Sequence, residues 1–207
     1  MKTLFRFWRH IRSMMLIAVC MTLLMSMVGC GTVKEELAYI RGMQSYAYGF
    51  PLVMMDVTNG VLTATPKAGE YKAPVNQYMR IRTYVSPDFK DVVRISVNSL
   101  WSVAVLDLDK EPIIATYPDT KGRYFVMQLM NNWTDDFGSI GTRTGHGGPG
   151  NFMVAGPKWN GTPPPGVKDV YRSHTRYAWI LVQMSAASPK DFPEIHARQD
   201  ELQIIPR

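Results

Sequence analysis

Seven short strand-like runs, most of them with alternating apolar residues, most constrain how this chain of 207 residues folds. In the first run, Met79, Ile81 and Val85 alternate with Arg80 and Arg82. A period of two is typical of half-buried strands, and short strands separated by Pro, Gly, Asp and Asn indicate a β-sandwich. The seven predicted strands are Tyr78 to Val85, Leu100 to Leu108, Pro112 to Tyr117, Gly122 to Met130, Asn151 to Ala155, Val167 to Tyr171 and Arg176 to Met184.

One predicted strand differs from the rest because it is apolar on both faces. The run from Tyr177 to Val182 contains no charged residue. A strand with one face in water alternates, whereas a strand covered on both sides does not. We therefore expect this run to be a central strand.

Helices are predicted before and after the sandwich in the sequence. Residues 31–62 carry apolar side chains at 3.6-residue spacing, and Gly49 followed by Pro51 predicts a stop with a second helix after it. Near the other end, Ser188-Pro189-Lys190-Asp191 has the pattern of a helix N-cap, and we expect the helix it opens to end at Pro206.

A secretory leader is predicted at the N-terminus. The uncharged run from Met14 to Val28 is 15 residues long, shorter than the roughly 20 residues of a permanent transmembrane helix. It ends in Met27-Val28-Gly29-Cys30, which resembles the bacterial lipobox. We expect residues 1–29 to be a lipoprotein signal peptide and Cys30 to carry the lipid. The basic residues of the leader are Lys2, Arg6, Arg9 and Arg12.

The predicted lipid places the protein in the bacterial cell envelope, held to a membrane and facing the periplasm. Because Gly31 follows the cysteine where a retained lipoprotein has Asp, we expect the outer membrane. The remaining chain then consists of a helical segment over residues 30–62 and a sandwich domain with its C-terminal helix over residues 63–207.

Removal of the leader also removes most of the excess positive charge. The chain has 23 Lys and Arg against 17 Asp and Glu, and the leader holds 4 of the 23 and none of the 17, which leaves 19 against 17. No basic tract with interleaved aromatic residues remains, so nucleic acid is not expected as a partner. With Cys20 in the leader and Cys30 lipidated, no internal disulfide is expected, and no motif indicates a cofactor.

A glycine-rich segment contains the letters of a nucleotide-binding fingerprint. Gly145-His146-Gly147-Gly148-Pro149-Gly150 satisfies G-x-G-x-x-G, but a strand-like segment follows it where a dinucleotide site needs a helix. We expect instead a long loop in which Gly138, Gly141, Gly145, Gly147, Gly148 and Gly150 take positive φ angles. Since binding residues favour loops on rigid scaffolds, Arg143 and His146 become candidate ligand-binding residues.

Four further candidates lie near predicted strand ends, where a cleft forms: Trp101, Asp107, Arg123 and Trp133. Core packing is the alternative for both tryptophans. No histidine has a second ligand at metal-binding spacing, so no metal is expected. Neither G-x-S-x-G nor S-x-x-K occurs, which disfavours a serine hydrolase.

Five ordered blocks of sequence resemble one bacterial family. They are Tyr48-Gly49-Phe50-Pro51-Leu52-Val53, Ala73-Pro74-Val75-Asn76-Gln77, Pro118-Asp119-Thr120 with Gly122-Arg123-Tyr124, Gly141-Thr142-Arg143-Thr144-Gly145, and Gly156-Pro157-Lys158-Trp159-Asn160-Gly161. From about Tyr39 to Pro206 the chain resembles the family called domain of unknown function 1254. This resemblance implies a mainly β fold, an immunoglobulin-like antiparallel β-sandwich preceded by helices.

The resemblance also implies a partner. Members of the family usually continue into a second, jelly-roll-like domain of unknown function 1214, and this sequence stops before it. We therefore expect either a homo-oligomer or a separate protein that supplies the second domain, with Tyr78 to Val85 and the glycine-rich loop as the contact surface.

One departure from the family bears on catalysis. Where the family commonly reads Asn-x-Asp-Thr-Leu-Tyr-Ser, this chain has Ser96-Val97-Asn98-Ser99-Leu100-Trp101-Ser102. A neutral amide at Asn98 cannot act as a proton-transfer base, although it can still bind a ligand.

Two hypotheses about function follow. In the first, which the change at Asn98 favours, the protein is a non-catalytic envelope lipoprotein whose sandwich binds a ligand or a partner. In the second, it is a periplasmic hydrolase or lyase with a polar site formed by Asp107, Arg123, Arg143 and His146 at the glycine-rich loop. If the loop binds a ligand, replacing Arg123 or Arg143 by Ala should leave the melting temperature nearly unchanged.

Overall fold

The computed structural model describes residues 2–90, 95–167 and 169–206. The chain divides into two units, Met1–Phe50 and Pro51–Arg207. In the first unit the described residues are helical throughout, but the side chains of residues 2–7, 9, 24–30 and 32 lie outside the description, and Cys30 is one of them. Among the residues that are described, no helix is both long enough and apolar enough to cross a bilayer.

The predicted break between two N-terminal helices is wrong. Helix α1 (Lys2–Thr63) continues through Gly49 and contains Pro51. An internal proline removes one backbone hydrogen bond. Beyond it, however, Met55 and Leu62 pack into an apolar cluster that stabilises the last turns of the helix. The Gly-Pro signal instead coincides with the division between the two units.

The second unit contains two β-sheets. This confirms the expected antiparallel β-sandwich of the immunoglobulin-like class, with helices at both ends. Nine strands are described: β1 (Tyr78–Ile81), β2 (Ser99–Asp107), β3 (Ile113–Tyr117), β4 (Phe125–Asn131), β5 (Asp136–Gly141), β6 (Gly150–Ala155), β7 (Asp169–Arg172), β8 (Tyr177–Ser185) and β9 (Ile204–Pro206). One sheet has the order β1-β2-β8-β4-β5 and the other the order β7-β6-β3-β9. All pairs are antiparallel except β6 with β7.

All seven predicted strands are present, with ends that differ by a few residues. The run from Tyr177 to Val182 forms most of β8, which pairs with β2 on one side and β4 on the other, so its prediction as a central strand is confirmed. The predicted strand that begins at Val167 corresponds to β7. Lys168 lies outside the described residues.

The five-stranded sheet has an apolar cover on both faces, which explains the apolar character of β8. Leu106 and Ile180 point into the core between the two sheets. On the opposite face, Val105 and Trp179 pack with Met55 and Leu62 near the end of α1. The helix end therefore shields from water the face of the sheet that the second sheet does not cover.

Part of the predicted glycine-rich loop is a strand. Residues Asp136–Gly141 form β5, and Gly141 faces Val126 across the pair with β4. Of the six glycines expected to have positive φ, only Gly145 does so. Gly138 is required for a different reason, because a Cβ there would lie 2.5 Å from Cδ1 of Tyr171.

The C-terminal helix begins as predicted but ends earlier. The Ser188 hydroxyl accepts a hydrogen bond from the Lys190 amide, and a short 3₁₀ turn (Pro189–Asp191) leads into α2 (Phe192–Asp200). The prediction that the helix reaches Pro206 is wrong, because residues 204–206 form β9 along the edge of the second sheet. Proline is tolerated on such an edge strand.

Candidate functional site

Asp107, at the end of β2, forms an ion pair that joins two strands. Its carboxylate accepts hydrogen bonds from Arg176, with an Nε–Oδ1 distance of 2.9 Å and an Nη2–Oδ2 distance of 2.5 Å. The hydrogen bond from Arg176 is the main reason that the pKa of Asp107 lies below its usual value. The carboxylate thus holds the end of β2 to the start of β8.

Arg123 connects the segment before β4 to the beginning of α2. Its Nη2 lies 2.8 Å from Oε2 of Glu194 and 3.5 Å from Oδ1 of Asp191, while its Nη1 donates to the Ser185 carbonyl at 3.1 Å. The hydrogen bond to Glu194 raises the pKa of the Arg123 guanidinium. Arg123 therefore fixes the start of the C-terminal helix to the sandwich.

Asp107 and Arg123 lie at opposite ends of the five-stranded sheet. Asp107 faces Tyr177 across the β2–β8 pair, whereas Ser99 faces Ser185, the residue that Arg123 binds. Eight residues of extended strand separate the two positions, which corresponds to roughly 27 Å. The four residues proposed for a hydrolase or lyase site therefore do not share one pocket.

Trp133 lies at the same end of the five-stranded sheet as Asp107. It lies two residues after Asn131, the last residue of β4, which faces Ala178 at the start of β8. Its backbone amide donates to the Asn131 side-chain oxygen at 2.8 Å.

Asn98 and Trp101 lie at the same end of the five-stranded sheet as Arg123. The Asn98 side-chain oxygen accepts a hydrogen bond from the Ser96 hydroxyl at 2.7 Å, and the indole Nε1 of Trp101 donates to the Ser96 carbonyl at 3.2 Å. The Asn98 carbonyl also accepts from the Ala186 amide at 3.0 Å. Both side chains stabilise the turn that leads into β2.

Arg143 lies over an exposed aromatic ring. Its Cζ is 5.6 Å from the ring centroid of Tyr124, a distance that permits a cation–π interaction. Tyr124 also lines a surface depression of about 420 Å³, together with Lys121, Gly122, Arg123, Ser185, Ala187 and Glu194. We call the exposed surface formed by Lys121, Tyr124 and Arg143 the Tyr124 surface.

His146 forms a chain of polar contacts with Thr144 and Asp169. Its Nδ1 lies 2.8 Å from Oγ1 of Thr144, and its Nε2 lies 3.4 Å from Oδ2 of Asp169. The ring also packs edge-on against Tyr117, with 5.6 Å between ring centroids. The pKa of Tyr117 is raised, chiefly by burial and then by the negative charge of Asp169.

Thr144, His146 and Asp169 lie in the order hydroxyl, imidazole, carboxylate that a catalytic triad has. The Thr144 hydroxyl, however, already makes contacts within the turn that contains it. Its Oγ1 accepts a hydrogen bond from the Gly141 amide at 2.9 Å and lies 3.1 Å from the Gly141 carbonyl. These contacts close the 3₁₀ turn Thr142–Thr144. Within the described part of the chain, no three His, Cys, Asp or Glu side chains are placed to hold a metal ion.

Tyr78 and Arg80 line two adjoining depressions and were not among the predicted site residues, although the predicted contact strand Tyr78 to Val85 contains both. One has about 270 Å³ and is also lined by Ala68, Gly69, Glu70 and Arg82. The other has about 220 Å³ and is also lined by Ala68, Asn76, Gln77, Leu202 and Ile204. The signal in the sequence was the pair Arg80 and Arg82 in one short predicted strand. Their hydrogen-bond partners in α2, however, are more than 100 residues away in sequence.

The fold and these sites define a small β-sandwich protein with charged residues paired at the strand ends and an exposed basic and aromatic surface. Residues 75–206 match the family described as "Protein of unknown function (DUF1254)", and the chain belongs to this family. The family expected from the five sequence blocks is thus confirmed.

The solved structures that match this chain include the following two. The VPA0106 protein from Vibrio parahaemolyticus has a TM-score of 0.63 and 21% sequence identity over 78% of this chain, which supports the fold. This chain spans 37% of the length of that protein. A putative uncharacterized protein from Burkholderia cenocepacia matches with a TM-score of 0.40 and 15% identity over 64% of this chain and 34% of its own. No curated protein matches.

Proposed function

We propose that this protein is a lipoprotein of the bacterial cell envelope whose β-sandwich is a non-catalytic binding module. The lipid is attached to Cys30, at the end of the apolar run from Met14 to Val28. The sandwich faces the periplasm, and Gly31 directs the protein to the outer membrane. The second unit begins at Pro51, so residues 31–50 lie between the lipid site and that unit in the sequence.

The observation that carries the non-catalytic role is that two of the charged candidates, Asp107 and Arg123, are paired within the chain. Asp107 binds Arg176, and Arg123 binds Glu194 and Asp191. A catalytic acid or base needs access to the substrate proton at hydrogen-bond distance. These groups instead neutralise one another and stabilise the ends of the sheet.

The Tyr124 surface has the chemistry of a contact site. Tyr124 is 39% exposed, and Lys121 and Arg143 are exposed beside it and form no ion pair with any described residue. Tyrosine and arginine are enriched in the energetically important parts of interfaces. We propose that this surface binds a separate envelope protein that presents acidic side chains.

In-cell photo-crosslinking tests this proposal. A photoreactive amino acid at position 124 should capture a protein partner, and the double variant Lys121→Glu, Arg143→Glu should abolish capture, because reversed charges repel an acidic surface. The matched control is a photoreactive residue at the exposed Lys110, near the Asp107 end of the sheet. Equal capture from both positions, or capture that survives the charge reversal, would contradict the proposal.

The alternative function is a periplasmic hydrolase or lyase at the glycine-rich segment. The contacts from Thr144 through His146 to Asp169 favour it, since their order matches nucleophile, base and carboxylate. We favour binding because the Thr144 hydroxyl already closes the turn at Gly141. Activity toward an ester or glycoside panel that disappears in both Thr144→Ala and His146→Ala would support the alternative.

A further inference from the structure

We infer that Tyr78 and Arg80 form a binding site for a small monocarboxylate at the open side of the sandwich. The site is separate from the Tyr124 surface and goes beyond the function proposed above. Two depressions meet there, with volumes of about 270 and 220 Å³, and both are lined by Ala68, Tyr78 and Arg80. β1 is the edge of one sheet, and Ile204 of the second depression lies in β9, the edge of the other sheet.

The Tyr78 hydroxyl provides a donor without a partner. Tyr78 is 3% exposed, and its hydroxyl oxygen is buried and has no hydrogen-bond partner among the residues described. Burial raises the pKa of this phenol, so it stays protonated and remains a donor. Because buried polar groups are nearly always bonded, an orphan hydroxyl on a residue that lines two depressions points to a bonding partner from outside the chain, and we assign that place to a ligand.

Arg80 provides a positive charge that forms no ion pair with any described residue, although Asp200 lies near enough to act on it electrostatically. Its Nε donates to the Gln199 carbonyl at 3.0 Å and its Nη2 to the Leu202 carbonyl at 3.2 Å. No described carboxylate lies within ion-pair distance of it, and the nearby Asp200 is paired with Arg82. Burial and then the like charge of Arg82 lower the pKa of the Arg80 guanidinium.

Donors remain on Arg80 for a ligand. A guanidinium has five N–H donors. Three of its hydrogen bonds go to backbone carbonyls, those of Gln199, Leu202 and Tyr78. One N–H on Nη1 and one on Nη2 remain, and an arginine can use two such groups to bind a carboxylate through parallel hydrogen bonds.

Glu70 determines which anion fits best. It lines the larger depression together with Arg80 and Arg82. Its negative charge repels a phosphate dianion more strongly than a singly charged carboxylate. The apolar side chains of Leu202 and Ile204 in the second depression suit a short aliphatic tail. Of the anions compared, a short-chain monocarboxylate is repelled least by Glu70 and can place its tail against the apolar side chains.

The probe is propionate, titrated into the full chain, with sodium chloride at equal ionic strength as the reference. The readouts are the NMR signal of the Arg80 Nε–H group and the melting temperature. We expect a saturable shift of the Arg80 signal and a rise in melting temperature with propionate, and weaker binding of inorganic phosphate. No saturable shift beyond that of chloride, or tighter binding of phosphate, would overturn the assignment.

The variant Tyr78→Phe shows whether the Tyr78 hydroxyl donates to a ligand or stabilises the fold. Without propionate, the variant should melt at the wild-type temperature or above it, because it loses only an unsatisfied hydroxyl. Its affinity for propionate should fall about tenfold or more, as expected for a lost hydrogen bond to a charged group. Arg80→Lys should also weaken binding, because lysine lacks the planar fork.

Tyr84→Phe is the matched control. The Tyr84 hydroxyl donates to the Ala186 carbonyl at 3.0 Å, and Tyr84 lines neither depression. This variant should melt at a lower temperature and bind propionate with wild-type affinity. If Tyr78→Phe lowers the melting temperature as Tyr84→Phe does and leaves the affinity unchanged, the Tyr78 hydroxyl has a structural role and the inference is wrong.

Discussion

The strongest prediction concerns a buried chain of hydrogen bonds at the end of α1. The Asn59 side-chain oxygen accepts a hydrogen bond from the indole Nε1 of Trp179 at 2.6 Å, and its amide nitrogen donates to Oδ1 of Asn132 at 3.2 Å. Asn59, Asn132 and Trp179 are each at most 5% exposed. Water is therefore excluded from both hydrogen bonds.

Asn59→Ala should destabilise the second unit strongly. It leaves one donor and one acceptor buried without partners, and each orphan costs about 1–3 kcal/mol. The expected loss in the free energy of unfolding is therefore about 2–6 kcal/mol, a large part of the roughly 5–15 kcal/mol of a whole domain. The melting temperature should fall by roughly 10 °C.

Urea unfolding followed by tryptophan fluorescence measures this loss, and a double-mutant cycle assigns it. In a Trp179→Phe background the indole donor is already absent, so Asn59→Ala should cost about 1–3 kcal/mol less than in the wild type. Thr58→Ala is the control, because Thr58 is half-buried and its hydroxyl donates to the Met54 carbonyl of the same helix, away from the Asn59 hydrogen bonds. An equal cost of Asn59→Ala in both backgrounds would refute the hydrogen-bond explanation.

Two further predictions concern the ion pairs at the ends of the sheet. Since the folded-state pKa of Asp107 is depressed, its pairing with Arg176 stabilises the protein above the unfolded pKa of about 4 and is lost as the pH falls through the lower folded value. Wild type should therefore lose more unfolding free energy than Asp107→Asn in urea titrations between pH 6 and pH 3, and equal losses would contradict this. Arg123→Ala should lower stability by about 1–2 kcal/mol, because it breaks a partly exposed ion pair, whereas Arg143→Ala should stay within about 0.5 kcal/mol in thermal unfolding. A melting temperature of Arg123→Ala equal to that of Arg143→Ala would restore Arg123 as a ligand-binding candidate.

The strand pattern could be predicted from the sequence because alternation reports burial directly. β8 could even be placed at the centre of its sheet, since its continuous apolar run requires a cover on both faces. β5 was missed because its glycines resemble a loop, although Gly138 is needed to make room for Tyr171. β9 was missed because its last residue is Pro206, which the sequence associates with the end of a helix.

The roles of the polar candidates were harder to predict, because their partners are distant in sequence. Asp107 and Arg176 are 69 residues apart, and Arg123 and Glu194 are 71 residues apart. From the sequence alone, each side chain therefore looked free to act on a ligand. Arg143 and His146 lie in one short segment of the sequence, but only the fold brings Tyr124 to one and Asp169 to the other.

Fatty-acid labelling in cells tests most directly the proposal that this protein is a lipoprotein anchored through Cys30. Cells that express the wild type, Cys30→Ser or Cys20→Ser are grown with an alkyne-bearing fatty acid, and the purified protein is assayed for label. Wild type and Cys20→Ser should carry the label and fractionate with membranes, because two acyl chains give stable anchoring. Cys30→Ser should carry none. Equal labelling of Cys30→Ser, or labelling that is lost in Cys20→Ser instead, would contradict the proposal.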